Sequence, residues 1–168
     1  GVSQPVTTRP ELPEVRVGTQ RSTIVTIGTG SYLGLTDARS KAVQSVYSFR
    51  DDLGESGYGD LRGKLVQQSL SGAEGNSAER TVTAHAVDWS PGSGKPGWFV
   101  DLLIDGKLTG ERVTLDPDHQ QGVLRIVTNT PDGVACRPAA ESWVYEFDYL
   151  TGAHLPEAAG KVLARRVA

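Results

Sequence analysis

The sequence predicts an all-β fold of antiparallel four-stranded blades, a partial, C-terminal segment of a β-propeller. Three observations carry this expectation. Glycine and proline are frequent, 20 and 9 among 168 residues, and glycine stands well above its usual ~7%. Turns therefore come often, and long helices have little room. Short β-branched or alternating apolar runs recur between the turn residues, as in strands with one buried face. The third observation is the stretch Ser142–Gly152, SWVYEFDYLTG. It sets Trp143, Tyr145, Phe147 and Tyr149 on one strand face and Val144, Glu146 and Asp148 on the other. Thr151-Gly152 supplies a turn of the kind that often closes a propeller strand. A fainter copy, VYSFRDDLG, spans Val46–Gly54, so a Val-Tyr-x-Phe core occurs twice.

The elements follow in order. Gly1–Gly18 carries Pro5, Pro10 and Pro13, whose fixed φ angles predict an extended arm. Thr23–Gly28 is a β-branched strand, and Thr29–Lys41 a glycine-rich loop with one helical turn after Asp37. Val43–Phe49 is a second strand, and Asp51–Gly63 a polar, glycine-studded loop. Lys64–Leu70 and Arg80–Trp89 are strands joined by the Gly/Ser-rich Ser71–Ser77. Ser90–Gly97 is loop by composition. Trp98–Ile104 is a strong strand ended by the Asp105-Gly106 turn signal. Glu111–Leu115 and Gly122–Thr128 are strands on either side of an Asp116–Gln121 turn. Asn129–Glu141 is a loop, Ser142–Tyr149 the aromatic strand, and Lys161–Val167 a short last strand.

Blades of about 40–45 residues make this roughly two blades. Residues 1–168 are thus expected to be a single all-β segment with a flanking arm over 1–20. Fewer than about four blades cannot close a ring, and an open arc exposes its blade faces. The sequence therefore reads as a piece excised from a longer chain, a reading to which the initial Gly1 also points. The alternative is a β-sandwich.

Charged residues are 22% of the chain and the net charge is −3. That balance offers no polybasic surface, so nucleic acid is not an expected partner. Cys136 is the single cysteine and has no internal disulfide partner; it is a buried thiol or pairs outside this segment.

Gly28-Thr29-Gly30 with Gly34 is spaced one residue too long for a dinucleotide fingerprint, and no strong helix follows, so a structural glycine turn is expected. Gly92-Ser93-Gly94-Lys95 fails as a phosphate loop because Pro96 stands where a hydroxyl should. His85, His119 and His154 are scattered, without zinc-ligand spacing. Asp116 and Asp118 are weak candidates for a calcium loop, with Gln120 in place of a third acid. No nucleophile elbow or base-paired Ser or Cys occurs, so no catalytic residue is assigned and a non-enzyme is expected. Asp101 lies inside an apolar strand and is expected to be a hydrogen-bonded anchor or part of a site. The Trp143/Tyr145/Phe147 ladder is expected to be core.

Several ordered stretches resemble the C-terminal β-propeller of the PilC/PilY family of type IV pilus biogenesis factors and tip-associated adhesins. They are Gln4-Pro5-Val6-Thr7-Thr8 with Pro10, then Gly28-Thr29-Gly30 with Tyr32-Leu33 and Asp37, then Gln44-Ser45-Val46-Tyr47 with Asp51. Gly97-Trp98-x-x-Asp101-Leu102 and Gly110-Glu111-Arg112-Val113 follow. Thr128 with Pro131, Cys136, Ser142-Trp143 and Thr151-Gly152 complete the series. Ala139-Ala140-Glu141 departs from the glycine pair the family places before Ser-Trp.

The resemblance implies an exported bacterial protein at the outer membrane, cell surface or pilus tip. It implies a role in pilus assembly, control of retraction and adhesion as part of the fimbrium. Its partners would be the remainder of its own propeller, pilins or minor pilins, and a host or abiotic surface. The family's calcium loop is absent from this segment, so calcium is expected in the full-length protein and no cofactor here. Gly28, Gly30, Gly97, Trp98, Asp101, Glu111, Arg112, Trp143 and Gly152 are expected to be scaffold, the charged ones tying adjacent strands. Recognition would fall to the loops Asp51–Gly63, Ser71–Ser77, Ser90–Gly97 and Asn129–Glu141. Two rivals remain: a quinoprotein-like dehydrogenase propeller, whose candidate set is Arg112, Asp116 and Asp118, and a stand-alone β-sandwich interaction module.

Overall fold

The computed structural model describes residues 3–51, 53–54, 57–133, 141–158 and 162–167. Among these described residues strand makes up 46% and helix 5%. The strands are β1 (Glu14–Val17), β2 (Gln20–Gly28), β3 (Ser45–Arg50), β4 (Val66–Ala73), β5 (Asn76–Val82) and β6 (Gly97–Ile104). They continue with β7 (Lys107–Leu108), β8 (Arg112–Val113), β9 (Asp118–Gln120), β10 (Val123–Thr130), β11 (Glu141–Asp148) and β12 (Ala164–Arg166). One short helix, α1 (Leu35–Arg39), lies between β2 and β3.

Ten strands share one hydrogen-bonded path, β1-β2-β3-β6-β4-β5-β12-β11-β10-β8, with β7 added on β6 and β9 on β10. The sheet curls into a half-barrel. A single path is not the pair of packed sheets that a sandwich requires.

Along the path, β1-β2-β3-β6 and β12-β11-β10-β8 are two four-stranded antiparallel units. The β4/β5 hairpin lies between them. It joins the second unit through the antiparallel β5/β12 pair and the first through β4/β6, which is parallel. A parallel pair needs a long return connection, and residues 83–96 provide part of it. That joint departs from the wholly antiparallel arrangement expected.

Alternation along each strand assigns its faces. Ile24, Val46, Trp98, Val100, Leu70, Ile126, Trp143, Tyr145 and Phe147 fill the main core. Tyr47, Phe99 and Leu65 form a second cluster, with Ile27, Phe49 and Leu61 packed against it. On β3 and β6, neighbouring residues Val46 and Tyr47, or Phe99 and Val100, belong to different clusters, so both faces of these strands are covered. The two Val-Tyr-x-Phe cores occupy β3 and β11, an inner strand of each unit. In β11 the Tyr and Phe enter the main core; in β3 they enter the second cluster.

Several sequence expectations shift. Ser71–Ser77 is not a displayed loop: β4 and β5 run through it and leave only Glu74-Gly75 as a turn. The strand expected over Arg80–Trp89 ends at Val82. Beyond it the Gln68 side chain replaces the ladder, accepting from Thr83 Oγ1 at 2.7 Å and His85 N at 3.1 Å, and donating to His85 O at 2.8 Å. β11 stops at Asp148, which puts Tyr149 in the following turn against the His119 ring, 4.6 Å between centroids. Cys136, Ala139 and Ala140 lie outside the described residues.

Candidate functional site

Glu111, Asp101 and Arg112 each belong to a charged constellation, and Trp98 and Gly152 meet in a capped turn. In the main core, Arg80 on β5 and Glu111 just before β8 are 4% and 1% exposed. Arg80 Nη1 donates to both Glu111 oxygens, at 2.8 and 2.7 Å. Thr128 Oγ1 and Tyr145 Oη also donate to Glu111 Oε1, at 2.5 and 2.8 Å. Arg80 bonds the Tyr145 hydroxyl too, and its guanidinium lies over the Trp143 ring, 3.5 Å from the centroid. A charge this deep persists only when paired and hydrogen-bonded, and β5, β10, β11 and the approach to β8 supply these partners. Burial, with the Glu111 carboxylate second, pushes the Tyr145 phenol well above its ordinary value.

The other sheet face holds a counterpart. Asp101 on β6 accepts Arg62 Nη1 at 3.0 Å and Nη2 at 2.7 Å, a two-pronged contact, and Ser45 Oγ at 2.5 Å. Arg62 Nη1 reaches Tyr47 Oη at 2.7 Å, and the guanidinium sits 4.2 Å from the Phe99 centroid. Tyr47 donates on to Gln4 Oε1 at 2.5 Å, so the N-terminal arm belongs to the same network. The bond to Asp101 raises the Arg62 pKa further, against the opposing effect of desolvation. The Arg62 side chain is nonetheless 42% exposed.

Glu111 and Arg112 adjoin in sequence and so point to opposite faces; they are not a pair. Arg112 donates to the carbonyls of Gly110 (2.9 Å), Ser31 (2.9 Å), Asp37 (2.6 Å) and Ser40 (2.5 Å), fastening the loop that carries α1. Desolvation pulls the Arg112 pKa down, opposed by Asp37. Asp37 Oδ2 accepts from Ser31 Oγ at 2.7 Å and Leu33 N at 2.9 Å, and these bonds lower its carboxyl pKa.

The capped turn follows β11. Trp98 Nε1 donates to Tyr149 O at 3.0 Å, Trp89 Nε1 to Leu150 O at 2.9 Å, and Gln68 Nε2 to Thr151 O at 2.8 Å. Gly152 has φ +67° and lies so near the Trp98 ring that a Cβ there would stand 2.4 Å from it. Only glycine fits this position.

The other glycines named from sequence serve close approach. A Cβ on Gly28 or Gly30 would stand 2.5 or 2.6 Å from Val113 atoms, and one on Gly97 would stand 2.2 Å from Ser48 O. The Gly28–Gly34 stretch thus lets β8 meet the end of β2, where Val113 N donates to Thr29 O at 3.0 Å. Asp116 accepts Arg9 N at 2.8 Å, and Asp118 lies 3.4 Å from Arg125. Their carboxylates face arginines rather than converging, so they do not fit a calcium centre. Among the described residues no group of three or more His, Cys, Asp or Glu could hold a metal. Arg112 is likewise bonded away from both aspartates, so the quinoprotein set does not assemble.

Arg80, Arg62 and Gln68 escaped sequence reasoning. The one available signal was alternation, which sets Arg80 on the same strand face as the apolar Val82.

These features define an all-β segment whose curled sheet is locked by buried polar pairs. Its fold matches the crystal structure of the Pseudomonas aeruginosa PilY1 C-terminal domain, which is propeller-like. The match has a TM-score of 0.75 at 24% identity and covers 99% of this chain and 40% of that one. In sequence the chain is 32% identical over 168 residues to the type IV pilus biogenesis factor PilY1 of P. aeruginosa. It is 29% identical over 143 residues to the PilY1 homolog of Xylella fastidiosa. These alignments span 90% and 83% of this chain but only 14% and 9% of the relatives. No family model matches. The chain is homologous to the PilY1 C-terminal domain and so corresponds to a C-terminal region of the PilC/PilY family.

Proposed function

We propose that this chain acts in type IV pilus biogenesis as a non-catalytic, rigid segment of a larger propeller-like domain. The alignment across 90% of the chain with PilY1 carries the reading. The site geometry supports it. The buried charged residues Arg80, Glu111 and Arg112 bond protein partners, Arg112 fastening the loop over 31–40, and Asp101 fastens the segment around Arg62. Such a scaffold holds recognition loops in fixed positions. On this reading the full protein is exported to the cell surface and pilus tip. There it promotes assembly, counters retraction and mediates adhesion, with pilins and a host or abiotic surface as partners. Any calcium is held outside this segment.

The test is genetic. Deleting the codons for this segment from the full gene should abolish surface pili, twitching or adhesion while the shortened protein is still exported. Unchanged piliation, twitching and adhesion, with the shortened protein on the surface, would refute the proposal.

A further inference from the structure

Exposed apolar side chains gather at one end of the sheet, beyond Gly28 of β2. Of the nine large ones exposed among the described residues, Val6, Tyr32, Leu33, Leu35 and Leu115 belong there. Hydrogen bonds bring their segments together. Gly30 N donates to Pro5 O at 2.7 Å and Thr7 Oγ1 to Gly30 O at 2.8 Å, which sets Val6 beside the start of the 31–40 loop. Arg9 N donates to Asp116 Oδ1 at 2.8 Å, which brings Leu115 to the same arm. Leu33 and Leu35 stand out furthest, 84% and 66% exposed.

The loop that carries these leucines is tied on both flanks. Arg112 holds the carbonyls of Ser31, Asp37 and Ser40, and Asp37 Oδ2 accepts Ser31 Oγ and Leu33 N. A turn held in this way cannot fold its leucines back into the core. It is also ordered in advance, so a partner that covers them does not have to immobilise the loop. Apolar groups presented together among polar neighbours mark a contact surface.

The path of the chain points to the partner. Ser3 lines a small cavity together with Ser31 and Asp37, and Gln4 Nε2 donates to Val43 O at 3.0 Å. The arm is therefore held against this end of the sheet as far as Ser3, and polypeptide joined ahead of it departs beside Leu33. The PilY1 C-terminal domain that the fold matches is much longer, since the chain covers 40% of it. A neighbour tethered at that point meets the leucines at high effective concentration.

We propose that Val6, Leu33 and Leu35 dock against an apolar surface of the same polypeptide, in the part of the larger domain that precedes residue 1. The proposal rests on the reading of this chain as a segment of a larger domain, and not on the pilus role.

The experiment is photo-crosslinking in the full-length protein. The benzophenone amino acid p-benzoylphenylalanine is placed in the position of Leu33 or, as a control, of Leu53. Leu53 is 87% exposed and shares a cavity with Gln20, at the opposite end of β2. After irradiation of the purified protein, mass spectrometry should find position 33 joined to residues ahead of residue 1 in the same molecule. The yield should exceed that from position 53 by about tenfold or more. Should the substitution at Leu33 disturb the fold, the same group in place of Leu35 should give the same result. Cross-links chiefly to a second copy or to lipid, none ahead of residue 1, or equal yields from positions 33 and 53 would overturn the proposal. The pilus role fails separately: an internal cross-link in a protein whose segment deletion leaves piliation unchanged would keep the docking and discard that role.

Discussion

The two arginine–carboxylate–tyrosine clusters are assembled from the same parts on opposite faces of one sheet. Each stacks its guanidinium on an aromatic ring, Trp143 for Arg80 and Phe99 for Arg62. Each takes its tyrosine from a Val-Tyr-x-Phe core. They differ in solvent. The Arg80 and Glu111 side chains are 5% and 0% exposed, whereas Arg62 is 42% exposed above Asp101 at 12%. Water can rescue a broken outer pair but not a broken inner one, so similar geometry carries unequal energetic weight. The inner cluster ties β5, β10, β11 and the approach to β8; the outer one ties the segment around Arg62 and the N-terminal arm to β3 and β6.

The largest effect should come from Glu111→Ala. It leaves Arg80 charged and unpaired in the core and should cost about 3–5 kcal/mol in denaturant unfolding. A loss below about 1 kcal/mol would show that water reaches the inner cluster and would erase the contrast.

Tyr145→Phe should cost about 1–3 kcal/mol, because Glu111 and Arg80 lose the hydroxyl between them. It should also change the alkaline limb of stability. The folded phenol has a raised pKa while the unfolded one titrates near its ordinary 10.0. The folded state therefore holds the proton longer, and stability falls as pH rises above that value. In Tyr145→Phe this part of the decline should disappear, as urea midpoints measured from pH 8 to pH 11 would reveal.

Asp101→Asn should cost about 1 kcal/mol, since an amide keeps some of the bonds from Ser45 and Arg62. Smallest of all, an Arg62→Ala/Asp101→Asn double-mutant cycle should return a coupling below about 1 kcal/mol that shrinks with added salt. A salt-insensitive coupling several times larger would make the outer pair equivalent to the inner one.

Much of the fold was legible where burial imposes a period on the sequence. β2, β6, β10 and β11 alternate or run apolar, and each was anticipated within a few residues. β1, β7 and β9 were missed because they are short, polar and lie at edges, where packing selects little. β5 was placed too far along because Gln68, a residue of another strand, takes over the pairing beyond Val82. For the candidate site the sequence showed which residues were unusual but not what they touch. Asp101 stood out as an acid inside an apolar strand and Glu111 only as part of the family motif, yet Arg62 and Arg80 are distant in the chain and look like ordinary surface cations. Cluster partners are set by strand order, and the parallel β4/β6 joint that fixes that order has no local signature.

The place of β12 has a kinetic consequence. These three residues, Ala164–Arg166, pair with β5 on one side and β11 on the other. As the chain leaves the ribosome, β5 appears early and waits with an open edge while the intervening strands are made. Only the arrival of β12 closes the hydrogen-bonded path between β5 and β11, so that part of the sheet cannot be completed in the order of synthesis. Non-local closure of this kind slows folding and prolongs the exposure of unpaired edges. A chaperone that shields the edge of β5 during that interval would speed assembly most.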